Sequence, residues 1–291
     1  MKNDSRFPRR PRLGIIGGGR AAWTFGRSWQ SIGWGVAAIS LREGSKSPLP
    51  RLLDVPQTDR ETLTARSDVV FVAVPDSAIE ETAASIRPLL RPSCFVFHAS
   101  GSLTSAIFGD FDSSFSLHPF RALPPVGSAV SLKDALLVFE GSRNASSLVS
   151  EFAQRLGAVL LELPGEAKTL YHAGAVFASN FVAVLLDIAR DLEREVGVTG
   201  ETARHAIAGL ARSAIDNWDQ HESIRRFTGP VARGDTTTVE RHVTALGSSA
   251  DRREIYRRLS LEIVRRIAAE RALDEDGRRL EEWLESAVSV P

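Results

Sequence analysis

A single cysteine, Cys94, in 291 residues excludes any internal disulfide, and a reducing cytoplasm is the expected setting. Net charge is also missing, since 36 basic residues cancel 36 acidic ones. Divided at Pro164, the chain carries +3 before and −3 after, too small an asymmetry for a nucleic-acid surface. Lysine is scarce, standing only at positions 2, 46, 133 and 168, so Lys168 is the sole lysine after Pro164. There is no repeat or low-complexity tract. The longest apolar runs, VVFVAVP and AGAVFASNFVAVLL, fall short of the roughly 18 to 20 residues that a membrane-spanning helix needs. The basic N-terminus MKNDSRFPRRPR lacks the apolar stretch of a signal peptide. What is present, 43% hydrophobic and 25% charged residues, suits a soluble chain of about two domains.

Up to Leu163, short apolar runs alternate with turn signals and amphipathic stretches. LGII, VAAISL, VVFVAV, CFVFH, SFSLH, ALLVFE and AVLLEL read as strands buried on both faces, hence a parallel sheet covered by helices. Pro48, Pro50 and Pro56 leave room for only a short crossover helix, or none, after the second strand. From Pro164 the period becomes helical. Residues 165–196 read as one long helix stopped by Gly197, followed by helices over 201–218, 236–247 and 251–272. In the 251–272 helix Ile255, Leu259, Ile263 and Ile267, with Tyr256 and Val264, form a predicted core stripe. A last helix carries Leu280, Trp283, Leu284 and Ala287. The expected fold class is α/β, with a dinucleotide-binding sheet over residues 1–163 and an all-helical domain over 164–291. Surplus apolar faces at Leu259, Ile263, Leu280 and Trp283 point to a homodimer.

LGIIGGGRAAW places Gly17, Gly19 and Ala22 in a G-x-G-x-x-A arrangement between a strand and a helix. Gly17 permits the tight turn, Gly19 and Arg20 open the helix toward a pyrophosphate, and Ala22 keeps the helix close to the strand. At the end of the next strand, Arg42 and Lys46 favour the 2′-phosphate of NADP, while Glu43 keeps NAD open. The loop Val74-Pro75-Asp76, placed after the fourth strand, should pass the cofactor, unless Asp76 or Ser77 only caps the next helix. His98 and Ser100 close the fifth strand, and His118 ends a later one, all at the presumed ligand edge. At 100° per residue, Lys168, His172 and Ser179 share a helix face that small Ala175 opens and Asn180 borders. In Thr228–Asp235, Asp235 or Thr237 can cap the following helix, with Glu240 closing a capping box to Thr237. No metal ligands are assigned.

Through GIIGGGRAA, VAVPDSAI, HASG, SLHPF, KTLYHAGAVFASN and TGPVARGDTTTVERH, the chain resembles a bacterial family of Rossmann-like oxidoreductases with a C-terminal helical domain of unknown function. That family is similar to pyrroline-5-carboxylate reductase, ketopantoate reductase and the 6-phosphogluconate and β-hydroxyacid dehydrogenases. The resemblance implies an NAD(P) domain followed by a helical domain that dimerises. In β-hydroxyacid dehydrogenases a lysine and an asparagine one helical turn apart serve the substrate oxygen. Lys168 matches in kind, but His172 stands one turn later, and Asn180 comes twelve residues on.

These readings describe an NADP-dependent reductase, with NAD as the alternative cofactor, acting on a small carbonyl or imine compound between the domains, without nucleic-acid or membrane partners. Lys168 or His172 would be the general acid, and Asn180 and Ser100 would position the substrate. The alternative is a non-catalytic NADP-binding sensor.

Overall fold

The computed structural model describes residue 8 and residues 10–286. The predicted helical position of Ala287 and the basic segment through residue 7 lie outside the described residues. Contacts divide the chain into two compact units, the first ending at Asn180 and the second starting at Phe181. Helical structure after the last strand starts at Gly165, and the division between the compact units falls fifteen residues later, after Asn180.

The first unit holds a sheet of β1 (Leu13–Ile16), β2 (Val36–Ser40), β3 (Val69–Val72), β4 (Phe95–His98), β5 (Ser114–Pro119), β6 (Leu136–Gly141) and β7 (Val159–Glu162), in the order β2-β1-β3-β4-β5-β6-β7. All seven expected runs are strands. One expectation fails: β6 runs antiparallel to β5, although β1 to β5 are parallel and β7 is parallel to β6. Periodicity reports burial and not direction, so this reversal leaves no trace in the apolar pattern. The strand before Val74 is also the third and not the fourth, and His98 ends the fourth. Between β2 and β3 the chain forms only the bridge Ile39 to Gln57 and two short helices, α1 having preceded them at Arg20–Ser31: α2 (Leu49–Leu53) and α3 (Arg60–Arg66).

Strand alternation gives the sheet two apolar faces. Ile15, Phe71, Phe97, Phe115 and Phe139 pack with Phe25 and Trp29 of α1 and with Phe152 of α5 (Ser146–Leu156). Ile16, Val70, Val72 and Val96 pack on the other face with Leu63 of α3 and with Ile79, Ala83 and Ile86 of α4 (Ile79–Ile86). Across three neighbouring strands the rings of Phe71, Phe97 and Phe115 stack, with centroids 4.4 and 4.8 Å apart.

Helix α6 (Lys168–Val176) continues through a π-helical turn at Phe177–Phe181 into α7 (Val182–Glu195), and Gly197 follows with φ +89°. This helical run, Gly165–Glu195, is long and apolar enough to cross a membrane by length and composition, an 18-residue stretch within it having a mean hydropathy of 1.5. That corrects the expectation drawn from its apolar segment alone. One such helix is weak evidence, and its first turn is bonded to the sheet by Lys168.

The second unit continues with α8 (Gly200–Gln220), α9 (Gly229–Ala232), α10 (Thr236–Ala245), α11 (Ala250–Glu270) and α12 (Glu275–Ser286). Its core is Val239, Leu261, Val264, Leu280 and Leu284. The predicted α11 stripe is therefore rotated: Ile255 and Leu259 are exposed, while Leu261, Val264 and Ile267 face inward. Arginines interleaved among the apolar positions leave two overlapping stripes, and packing against α12 selects one. Asp235 caps α10 through the Thr238 N–H, which settles the cap in its favour over Thr237.

Phe97→Ala removes the centre of the three-ring stack, and we expect it to destabilise the protein by about 3–5 kcal/mol, read as a lower denaturant midpoint at unchanged slope.

Candidate active site

In the order β2-β1-β3 the connections reverse direction on either side of β1, so a crevice opens at the carboxyl ends of β1 and β3. The glycine loop occupies it. Gly17 has φ +118°, and a Cβ there would collide with the Ala73 carbonyl oxygen, so only glycine lets this loop approach the end of β3. Gly19 is the N-cap of α1 and offers no side-chain cap. A Cβ built on it meets nothing within 4 Å. The helix thus presents unpaired N–H groups to open space, the environment a pyrophosphate requires. The residues present fit a dinucleotide.

Arg20 is exposed and reaches the Leu123 carbonyl at 3.4 Å, and Ala22 is fully buried against the sheet. Arg42 and Lys46 are exposed beyond β2. Sequence reasoning missed Ser47, whose hydroxyl donates to the Gly18 carbonyl at 2.8 Å and ties the ribose-side loop to the glycine loop. Its only signal was proximity to the proline-rich segment.

Val74, Pro75 and Asp76 form the loop after β3. Asp76 does not cap the helix that follows: it accepts the Ser100 hydroxyl at 2.6 Å. Ser100 in turn accepts the Leu103 N–H at 3.1 Å. Beneath them lies Lys168, fully buried, its ammonium donating to the Ser116 hydroxyl at 2.6 Å and to the Ser100 carbonyl at 3.2 Å. Burial pushes its pKa down, opposed by the carboxylates of Glu140 and Asp76. Glu140 is occupied with the N–H and hydroxyl of Ser105.

Three histidines converge here. His98 accepts the Ser100 N–H at Nδ1, so its Nε2 carries the proton donated to the Thr104 carbonyl at 3.1 Å. His118 Nδ1 bonds the Tyr171 hydroxyl at 2.8 Å. His172 stands edge-on to His118 with centroids 5.5 Å apart, and its Nδ1 is buried without a hydrogen-bond partner. A Cβ at Gly101 would fall on that nitrogen, so the turn after β4 must be glycine for His172 to seat. Burial pushes His98 down to about 4. His118 is also held at about 4, by burial first and by His172 and Lys168 second.

The structure brings Asp76, Ser100, Lys168 and His172 together and adds His98, His118 and Tyr171. It does not bring in Ser179 or Asn180. The 100° step ends at Val176, the π turn alters the phase, and both residues are exposed, the Ser179 hydroxyl bonding the Ala175 carbonyl and Asn180 Oδ1. Ser179 therefore does not share the buried Lys168 site. Cys94 is buried with its thiol pushed up to about 12, an inert packing residue.

Residues 2–114 match a family model described as a Rossmann-like domain, and residues 135–263 match one described as a domain of unknown function, DUF2520. The two matches follow one another along the chain without overlapping. A Bacteroides fragilis protein assigned as an NADP oxidoreductase is similar at 18% identity and a TM-score of 0.77, over 87% of this chain and 98% of its own. A Thermotoga maritima protein matches at 25% identity and 0.68, over 89% and 99%. Plasmodium falciparum pyrroline carboxylate reductase, solved with NADP bound, matches at 10% identity and 0.62, over 94% and 97%. No curated protein matches the chain. What these structures share with the chain is the fold, a Rossmann-like sheet followed by a helical region.

His98 gives the site a pH signature. Between its ordinary value of 6.5 and about 4 the unfolded chain binds the proton that the buried ring refuses, so stability falls as pH drops through that window and levels off below it. From pH 7 to 4.5 we expect a loss of about 2.5 kcal/mol from His98 in urea unfolding, and His98→Asn should remove that share.

Proposed function

We propose that this protein is an NADP-dependent reductase, NAD being the weaker cofactor, that reduces a small carbonyl or imine compound at the carboxyl edge of the sheet. The observation that carries the reading is an open, uncapped helix N-terminus at Gly19 on the same sheet edge as a buried, hydrogen-bonded cluster of ionisable side chains. A structural sheet edge has no need of a buried ammonium, and perturbed ionisable groups gather where chemistry is done.

Gly17, Gly19, Arg20 and Ala22 would shape the pyrophosphate cradle, with Arg42 toward the 2′-phosphate and Val74, Pro75 and Asp76 along the crevice. NADPH supplies the hydride when bound. Lys168 acts as a positioning residue, because its ammonium is sealed from solvent and committed to Ser116 and the Ser100 carbonyl. Ser100 is likewise committed to Asp76 and the turn amides, so it holds the β3 and β4 loops in place. Proton delivery falls to the histidine-lined side of α6 that includes His172. Asn180, exposed on the π turn with its Oδ1 bonded by the Ser179 hydroxyl, lies outside this cluster and has no role in it.

The second unit supports a homodimer. Leu210, Ile215 and Trp218 of α8 and Ile255 and Leu259 of α11 are exposed apolar residues, while Leu280, expected at the interface, is in the core. Light scattering at micromolar concentration should give twice the chain mass, and a monomer would refute the dimer. With reduced Cys94 buried, a reducing compartment suits the chain.

Calorimetric titration tests the cofactor. NADPH should bind more tightly than NADH, and Arg42→Ala should remove the difference. Gly19→Asp has room for its side chain and sets a carboxylate at the helix N-terminus, so the fold should persist while affinity falls at least about tenfold. Unchanged binding by Gly19→Asp would overturn the cradle assignment.

A further inference from the structure

The chain has two tyrosines, and each hydrogen-bonds a histidine Nδ1. Tyr256 and His242 join α11 to α10 within the helical unit. Tyr171 and His118 join α6 to the end of β5, beside the Lys168 cluster. Phe120 packs on the Tyr171 ring with centroids 5.5 Å apart, and His118 stands edge-on to it at 5.6 Å. Both residues are half-buried, whereas Lys168 is sealed.

A proton donor that turns over must be recharged, and this separates the candidates on α6. Lys168 has no solvent-facing side. His172 has Nδ1 closed off without a partner, so its ring cannot hand a proton from one nitrogen to a second protein group. Tyr171 has such a group, since His118 Nδ1 lies 2.8 Å from its hydroxyl. The charges that act on His118 are His172 and Lys168 from α6 and Asp76 from the loop after β3, and with burial they leave its imidazole neutral at physiological pH. Burial also keeps Tyr171 a neutral phenol. With its proton on Nδ1, His118 donates to the Tyr171 oxygen and leaves the phenolic O–H able to turn toward a ligand.

We propose that Tyr171 is the catalytic proton donor of this site and that His118 recharges it. The proposal rests on the reductase reading. As hydride forms a C–H bond at the carbonyl carbon, the C=O π pair moves to oxygen. That oxygen takes the Tyr171 proton, and the O–H pair stays behind as phenolate. His118 passes its Nδ1 proton to the phenolate while Nε2 takes one from water. The substrate gains one hydride and one proton, and NADPH becomes NADP⁺. For an imine the same steps deliver the proton to nitrogen.

The test uses no substrate. Tyr256→Phe leaves Tyr171 as the only tyrosine, so 3-fluorotyrosine incorporated into the full-length variant gives one ¹⁹F resonance. Its pH titration is followed alone, with NADP⁺ and with NADPH, and binding is checked by calorimetry. Beside the proposed hydride site, the cationic ring of NADP⁺ should lower the Tyr171 midpoint by about one unit relative to neutral NADPH. His118→Asn should alter the free-protein midpoint and preserve nucleotide binding. If both nucleotides bind and the midpoint is the same with each, Tyr171 is not at the hydride site and the inference fails while the cofactor reading stands. If neither binds, the cofactor reading fails and takes the inference with it.

Discussion

One buried ammonium organises the sheet edge. Lys168 has lost its water entirely, and an unpaired charge in that position would be strongly destabilising. Its stabilisation comes from the Ser116 hydroxyl on β5, the carbonyl of Ser100 after β4, and the more distant carboxylates of Glu140 and Asp76. Each partner is thereby placed. The Ser100 turn fixes His98 through its N–H and Asp76 through its hydroxyl, and the first turn of α6 is set against the sheet so that Tyr171 and His172 reach His118. The geometry of four separate chain segments follows from satisfying one cation.

Two of the neighbouring imidazoles, His98 and His118, are held neutral at neutral pH by burial. His98 has both ring nitrogens committed to backbone, so it is a fixed strut. His118 bonds a side chain that can itself donate or accept, so its tautomer is free to exchange. Rigid and exchangeable imidazoles thus lie at the ends of adjacent strands, β4 and β5. Preorganised polarity of this kind is what a site needs to stabilise developing charge without reorganising.

Much of this was legible in the sequence, for identifiable reasons. Strands buried on both faces leave short apolar runs, and all seven were readable. The glycine spacing before Arg20 reports a backbone requirement that the φ of Gly17 confirms. The direction of β6 was not legible, because a reversed strand buries the same side chains. The π turn was not legible either, since one extra residue per turn leaves the apolar content of FASNF unchanged and shifts only phase, which misplaced Ser179. The stripe on α11 held at Val264 and Ile267 and missed at Ile255 and Leu259, where arginine stems and aliphatic side chains alternate and tertiary packing decides. Lys168 was singled out by its rarity among arginines, but its burial could not be foreseen, because its partners Ser100 and Ser116 lie 68 and 52 residues away.

The same burial gives the molecule a built-in chemical reporter. Lys46 and Lys133 are exposed, so an acylating reagent meets their amines in the folded protein, whereas Lys168 presents nothing to it. Acylation at residue 168 therefore requires the first turn of α6 to lift from the ends of β4 and β5. The slow labelling of that one amine, followed against the fast labelling of the other two, counts how often this edge of the sheet opens.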